Sequence, residues 1–89
     1  MQIKVEKLDP EQLKKRAVFS WPIWEKEASR FDWHYDNIEE CYLLEGKVVV
    51  ETEDGKKVNF GKGDFVTFPK GLSCTWDIKE GVKKHYNFR

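Results

Sequence analysis

Turn signals recur about every ten residues in the second half of the chain, with short segments rich in β-branched and aromatic residues between them. The clearest is Asp54-Gly55, a two-residue hairpin signal between "KVVVETE" and "KKVNF". The remaining glycines predict further turns, at Gly46, at residues 61–64, at Pro69-Lys70-Gly71 and at Glu80-Gly81. Short strands at this spacing are typical of antiparallel sandwiches and barrels, so the pattern predicts an all-β fold.

The first 24 residues show a different pattern. "IKVEKL" (3–8) alternates apolar and polar residues, as a half-buried strand does. "DPEQLKKR" (9–16) predicts one short helix, with Asp9 as the N-cap and Pro10 at the first helical position. "AVFSWPIWE" (17–25) predicts an edge strand or an extended arm. We therefore expect a single domain over residues 1–89, with strand, helix and arm in 1–24 and a barrel core in 25–89.

The composition excludes several classes of partner. Acidic and basic residues number 16 each, and nucleic-acid-binding proteins usually carry a basic excess, so we expect no nucleic-acid partner. The apolar runs are too short to span a membrane, and the N-terminus lacks the apolar stretch of a signal peptide. We therefore expect a cytoplasmic protein, in which Cys41 and Cys74 are thiols and not a disulfide framework.

Two spaced motifs resemble those of the cupin superfamily. In the first, Asp32-x-His34 is followed after four residues by Glu39 and after six more by Gly46, with Asp where the motif has its first His. In the second, Gly63 is followed after five residues by Pro69-Lys70-Gly71 and after two more by Cys74, with Cys where the motif has His. The resemblance implies a cupin-type antiparallel β-barrel, or jelly roll.

One branch of the superfamily is more similar still. The segments that carry this similarity are "WPIW", "FDWHYD", "CYLLEG", "GKGDFVTFPKG", "TWDI" and "KHY". They resemble small single-domain cupins related to the cupin domain of (S)-ureidoglycine aminohydrolase, and they cover most of the chain from about Trp21 to Phe88. The resemblance is specific for the fold and much less so for the reaction, because cupins include enzymes, sugar binders and storage proteins.

The resemblance implies that Asp32, His34, Glu39 and Cys74 point into the barrel, where they form a candidate metal site. Imidazole and thiolate ligands suit Zn, Fe, Ni or Cu better than Mg. The candidate cofactor is therefore one divalent transition metal, Zn, Mn, Fe or Ni. Simpler interpretations stay open for each residue. Cys74 can be packing, His34 can bond at the barrel rim, and Asp32 can face solvent if the register moves by one. Glu39 needs a partner in any case, and Lys84, His85 or Arg30 can supply one.

Glu39 and Cys74 are also the candidate catalytic residues. A nucleophilic Cys74 needs a lowered thiol pKa and a nearby base. Trp33, Tyr42 and Trp76 are the candidate walls of a ligand pocket, and Trp76 lies two residues after Cys74 on the same face of its predicted strand. "VKKH" (82–85) predicts a solvated basic edge.

Three functions follow as hypotheses. The first is a cupin domain that binds a small polar molecule, with or without a metal. The second is an enzyme of the (S)-ureidoglycine aminohydrolase kind, in which a metal polarises the substrate and a carboxylate moves protons. The third is a structural or dimerising module with a filled barrel. Because cupins often pair through edge strands or N-terminal arms, the resemblance also implies a homodimer.

Overall fold

A computed structural model describes residues 2–89 as seven β-strands, one α-helix and a short 3₁₀ turn. In chain order these are β1 (Lys4–Glu6), α1 (Pro10–Lys15), the 3₁₀ turn (Val18–Ser20), β2 (Ile23–Lys26), β3 (Ser29–His34), β4 (Glu39–Thr52), β5 (Lys57–Gly61), β6 (Phe65–Phe68) and β7 (Ser73–Phe88). The protein is thus mostly β, as the turn spacing predicts.

All seven strands belong to one antiparallel sheet. The order along the main path is β1-β6-β4-β7-β2, while β3 pairs with the first half of β7 and β5 with the second half of β4. In the part of the chain described, no hydrogen-bonded ladder joins the two ends of this path. The sheet is therefore open by this criterion, and the closed barrel stays a prediction.

The predicted turns at Gly46 and at Glu80-Gly81 are wrong, because β4 and β7 run straight through these positions. The pairing of β4 with β7 instead shifts register on both sides of Gly46, as at a β-bulge. Along β4, buried positions change from odd numbers (Cys41, Leu43) to even numbers (Val48, Val50) across this irregularity. The bulge thus keeps both halves of β4 facing one core, a result that a strictly alternating strand cannot give.

The hairpin at Asp54-Gly55 is confirmed, but its loop has three residues, 53–55, and not the predicted two. The backbone N–H of Thr52 donates to the carbonyl of Lys56 at 2.9 Å. Gly55 has a φ of +84°, a left-handed conformation that glycine adopts without the cost of a Cβ.

The N-terminal helix is also confirmed and covers the outer face of the sheet. The Asp9 side chain accepts from the backbone N–H of Gln12, and the Gln12 side chain accepts from the backbone N–H of Asp9, so both halves of a capping box are present. Leu13 packs with Val18 and Phe65 in a small outer cluster. The predicted arm is divided between the 3₁₀ turn and β2, which pairs with β7 at one end of the sheet.

The main core lies on the inner face, where both halves of β4 and β7 contribute to one cluster. Its buried members are Tyr35, Cys41, Leu43, Val48, Val50, Phe60, Val66, Phe68, Leu72, Cys74, Trp76, Ile78 and Val82. Among residues 2–89, no helix has the length and apolar character needed to cross a membrane.

Candidate functional site

Strand β3 presents aromatic and polar residues to opposite faces. Phe31 and Trp33 line an inner pocket, and Phe31 stacks on Trp76 with ring centroids 6.1 Å apart. Asp32 and His34 alternate with them and are exposed. Asp32 accepts a hydrogen bond from Thr75 at 2.9 Å, and His34 Nδ1 lies 2.7 Å from the Ser73 hydroxyl. The structure therefore places Asp32 and His34 outside, one residue out of step with the predicted inward positions.

The four predicted metal ligands are not brought together. Glu39 lines the inner pocket, Asp32 and His34 lie on the opposite face of the sheet, and Cys74 is buried beside β3. Over the described part of the chain, no three His, Cys, Asp or Glu side chains are grouped to hold a metal ion. Because a resident metal usually needs at least three converging protein ligands, these residues do not fit one.

The inner pocket has a volume of about 220 Å³ and is mainly aromatic. Strands β2, β3, β4 and β7 and the segment after β3 supply its walls. The lining residues are Trp24, Phe31, Trp33, Tyr35, Glu39, Trp76, Lys84, Tyr86 and Phe88. Trp33 and Phe88 are 48% and 49% exposed, which places them where the pocket opens to solvent. This pocket combines open volume with buried charge.

That charge is an ion pair between Glu39 and Lys84. Lys84 Nζ donates to Glu39 Oε2 at 2.6 Å, and the two residues are only 5% and 4% exposed. The ammonium group also lies 4.9 Å from the ring centroid of Trp24 and 4.7 Å from that of Trp76, within the range of cation–π attraction. Lys84 is thus the partner that the sequence analysis required for Glu39.

The same observation corrects the interpretation of "VKKH" as a solvated basic edge. Val82, Lys84 and His85 are buried, because β7 lies inside the sheet and not at its margin. His85 faces the other side, where its Nδ1 lies 2.9 Å from the carbonyl oxygen of Trp21.

Tyr35 adds a neutral hydroxyl to the pocket. Its oxygen accepts a hydrogen bond from Trp76 Nε1 at 3.0 Å, and its ring stacks on Phe68 with centroids 4.7 Å apart. Burial raises the pKa of Tyr35 far above its usual value, and the Glu39 carboxylate adds to the shift. The hydroxyl therefore stays protonated and can act as a donor.

The two thiols keep their protons at neutral pH. Burial, followed by the carboxylates of Asp32 and Glu39, raises the pKa of Cys74 to about 11. Burial also raises the pKa of Cys41 to about 12, against the smaller opposing effect of the Lys84 charge. The environment of Cys74 is therefore the reverse of what a thiolate nucleophile needs.

Of the three predicted wall residues, Trp33 and Trp76 line the pocket and Tyr42 does not. Tyr42 lies on the outer face, where its ring meets that of Phe19 edge-on at 5.9 Å. Sequence reasoning named Lys84 as a possible partner of Glu39 but not as part of a pocket wall. The walls that it named also did not include five other lining residues: Trp24, Phe31, Tyr35, Tyr86 and Phe88. The available signal was the period-two series Phe31-x-Trp33-x-Tyr35 and Lys84-x-Tyr86-x-Phe88, which places each set on one face of an extended segment.

The sequence matches the EutQ-like cupin domain family over residues 13–86. A DUF861 family protein of Thermotoga maritima is 61% identical, with a TM-score of 0.97 over 99% of this chain and 100% of the other. Ethanolamine utilization protein Q of Salmonella typhimurium is 23% identical, with a TM-score of 0.68 over 99% of this chain and 69% of the other. EutQ of Clostridium difficile is 20% identical, with a TM-score of 0.69 over 97% and 66%. No curated protein matches.

These similarities support a cupin fold and give no support to the predicted relationship with (S)-ureidoglycine aminohydrolase. At 20% and 23% identity, the two EutQ proteins indicate the fold alone. Any inference about a ligand therefore depends on the pocket itself.

Proposed function

The chain belongs to the EutQ-like cupin domain family, and we propose that it is a small-molecule-binding cupin domain whose ligand enters the aromatic pocket beside Glu39 and Lys84. In this proposal the pocket is the interior of a cupin-type barrel. The observation that carries the proposal is the buried Glu39–Lys84 pair on the wall of an open cavity of about 220 Å³.

Stability alone does not explain an ion pair at this position. Replacing a buried ion pair with apolar residues of similar volume is often neutral or stabilising, so the pair is a poor device for filling a core. A few polar groups converging in an otherwise apolar cavity are instead the usual arrangement of small-molecule sites. Glu39, Lys84 and Tyr35 are such groups, and the surrounding rings supply the apolar surface.

The open volume favours a binding domain over a module with a filled barrel. A filled interior would leave no space next to the charged groups, whereas this cavity borders both Glu39 and Lys84. The half-exposed rings of Trp33 and Phe88 at the opening offer apolar contact to an entering molecule.

We do not extend the proposal to hydrolysis of the aminohydrolase kind. Glu39, the candidate base, is already bonded to an ammonium group, and Cys74 keeps its proton at neutral pH. The metal-assisted mechanism would also need a ligand set that residues 2–89 do not assemble.

The test uses the four tryptophan indole N–H signals in a ¹H–¹⁵N NMR spectrum. A library of compact aromatic molecules is titrated into the protein with EDTA present. We expect ligands to shift the signals of Trp24, Trp33 and Trp76, which line the pocket, while Trp21 in the outer cluster is the internal control. If no molecule at millimolar concentration shifts the three pocket signals, or if only Trp21 responds, the proposed function fails.

A further inference from the structure

We propose, building on the proposed function, that the pocket selects a compact, flat molecule with an uncharged head group that carries both an N–H donor and a carbonyl acceptor. An aromatic carboxamide is the simplest member of this class. Three independent features of the pocket lead to this inference: its balanced charge, its remaining hydrogen-bonding capacity and the shape of its walls.

The first feature is charge. Glu39 and Lys84 carry opposite charges, lie 2.6 Å apart and are almost fully buried. An anionic head group would compete with Glu39 for the ammonium, and a cationic one would compete with Lys84 for the carboxylate. Either would leave one buried charge without its partner, which is costly. An uncharged head group leaves the pair intact.

The second feature is the hydrogen-bonding capacity that remains. The bond to Lys84 engages Oε2 of Glu39. Among residues 2–89, no hydrogen bond or ion pair engages the other carboxylate oxygen, Oε1. The Tyr35 hydroxyl uses its oxygen to accept from Trp76, and that bond leaves the hydroxyl proton as a donor. The ammonium of Lys84 also has more N–H groups than its single hydrogen bond uses. The pocket thus offers an acceptor and donors together, the complement of an amide.

The third feature is shape. Aromatic rings form most of the wall: Phe31 stacks on Trp76, and Trp24 meets these two rings edge-on, at 62° and 72°. Flat aromatic surfaces contact flat ligands over the largest area. The cavity, at about 220 Å³, is smaller than the roughly 300–1,000 Å³ of pockets for drug-sized ligands, so it suits a molecule with one ring.

The test compares three probes of nearly equal size and different head-group charge: benzamide, benzoate and benzylamine at pH 7. Each is titrated into ¹⁵N-labelled protein, and the indole shifts of Trp24, Trp33 and Trp76 give the Kd. We expect benzamide to bind at least tenfold more tightly than either charged probe. A Kd for benzoate or benzylamine equal to or below that of benzamide overturns the proposal while leaving a binding pocket in place.

If none of the three probes binds but another library molecule shifts the pocket signals, the head-group assignment is wrong and the proposed function stands. If nothing in the library shifts them, both fail. The two proposals are therefore separable by the same set of spectra.

Charge variants provide a second measurement. Glu39→Gln leaves an unpaired ammonium, so we expect the preference to move to benzoate. Lys84→Met leaves an unpaired carboxylate, so we expect it to move to benzylamine. Matched controls are Glu45→Gln and Lys83→Met, which make the same chemical changes outside the pocket lining and should keep the wild-type order. If both pocket variants also keep that order, the pair does not select the head group and the proposal is overturned. If a variant does not fold, the order of the three Kd values for the wild-type protein still tests the proposal.

Discussion

The ammonium group of Lys84 is surrounded by one carboxylate and two indole rings, those of Trp24 and Trp76. These contacts replace the water that a surface lysine would keep. Removing either charge would leave the other in a largely apolar pocket, so the pair should behave as a unit in stability measurements.

Lys84→Met should lower the free energy of unfolding by about 3 kcal/mol, because it strands the buried Glu39 carboxylate. Urea denaturation followed by tryptophan fluorescence measures the change. The double variant Glu39→Gln/Lys84→Met should recover part of the loss, since it removes both charges. Lys83→Met, the adjacent control, should stay within about 0.5 kcal/mol of wild type. A Lys84→Met variant as stable as that control would show that the Glu39 carboxylate does not need Lys84 as its partner.

Because both thiols have raised pKa values, we expect the protein to lose stability at alkaline pH. Cys74 and Cys41 have pKa values of about 11 and about 12 in the folded protein, against an ordinary value of 9.0. Between pH 9 and 11 the unfolded chain releases these protons first, so stability is full below pH 9 and falls as pH rises.

Urea midpoints measured from pH 8 to pH 11 test this. The decline with pH should be shallower in Cys41→Ala and in Cys74→Ala than in wild type. In the same range, native protein should react with iodoacetamide much more slowly than denatured protein. Rapid labelling of Cys74 in native protein at pH 8 would contradict its protonated, buried state.

At the scale of elements, the main feature is the bulge where β4 passes β7. A Cβ placed on Gly46 would lie 2.9 Å from the carbonyl oxygen of Gly81 and 2.9 Å from the Cα of Val82. The two strands approach so closely here that only glycine fits, and Gly46 also has a φ of +120°. The irregular pairing around this position lets β4 change its inward face between Leu43 and Val48.

Gly46→Ala should therefore be strongly destabilising, with a loss of about 3 kcal/mol from combined strain and overlap. Gly55→Ala is the matched control, because Gly55 also has a positive φ but has open space around it. It should lose only about 1 kcal/mol, from backbone strain alone. Thermal denaturation followed by circular dichroism would compare the stabilities of the two variants. Equal losses would mean that the close approach of β4 and β7 contributes nothing.

At the scale of the whole molecule, the sheet ends in two short edge strands, β1 and β2. Val5 on β1 and Ile23 on β2 are exposed apolar residues, 39% and 49% accessible. Unpaired strand edges of this kind are available for pairing with another chain. They are where the predicted homodimer would form.

Light scattering after size exclusion should give twice the chain mass of 10.6 kDa at tens of micromolar protein. A charge at the contact is costly to bury, so Val5→Lys or Ile23→Lys should move the mass toward that of one chain. Lys56→Ala in the β4–β5 hairpin is the control. A wild-type mass of one chain would show that the homodimer prediction is wrong.

Local sequence signals were enough for the features that depend on a few neighbouring residues. The Asp9 cap, the Asp54-Gly55 hairpin and the all-β content follow from backbone preferences within a few positions. The motif spacing also indicated a cupin, which the family match confirms. The requirement for a cationic partner near Glu39 followed from the cost of a buried carboxylate.

Only the tertiary structure decided which face of each strand is inside. Asp32 and Trp33 are adjacent in sequence, and a shift of one residue exchanges their environments, so motif spacing could not tell which of them lines the pocket. Likewise, nothing local distinguishes buried Lys84 from its neighbour Lys83. Their difference comes from long-range pairing, which places β7 between β4 and β2 and directs Lys84 toward Glu39. The face that a strand turns inward is set by contacts between residues distant in sequence, whereas turns and caps are set by contacts between residues a few positions apart.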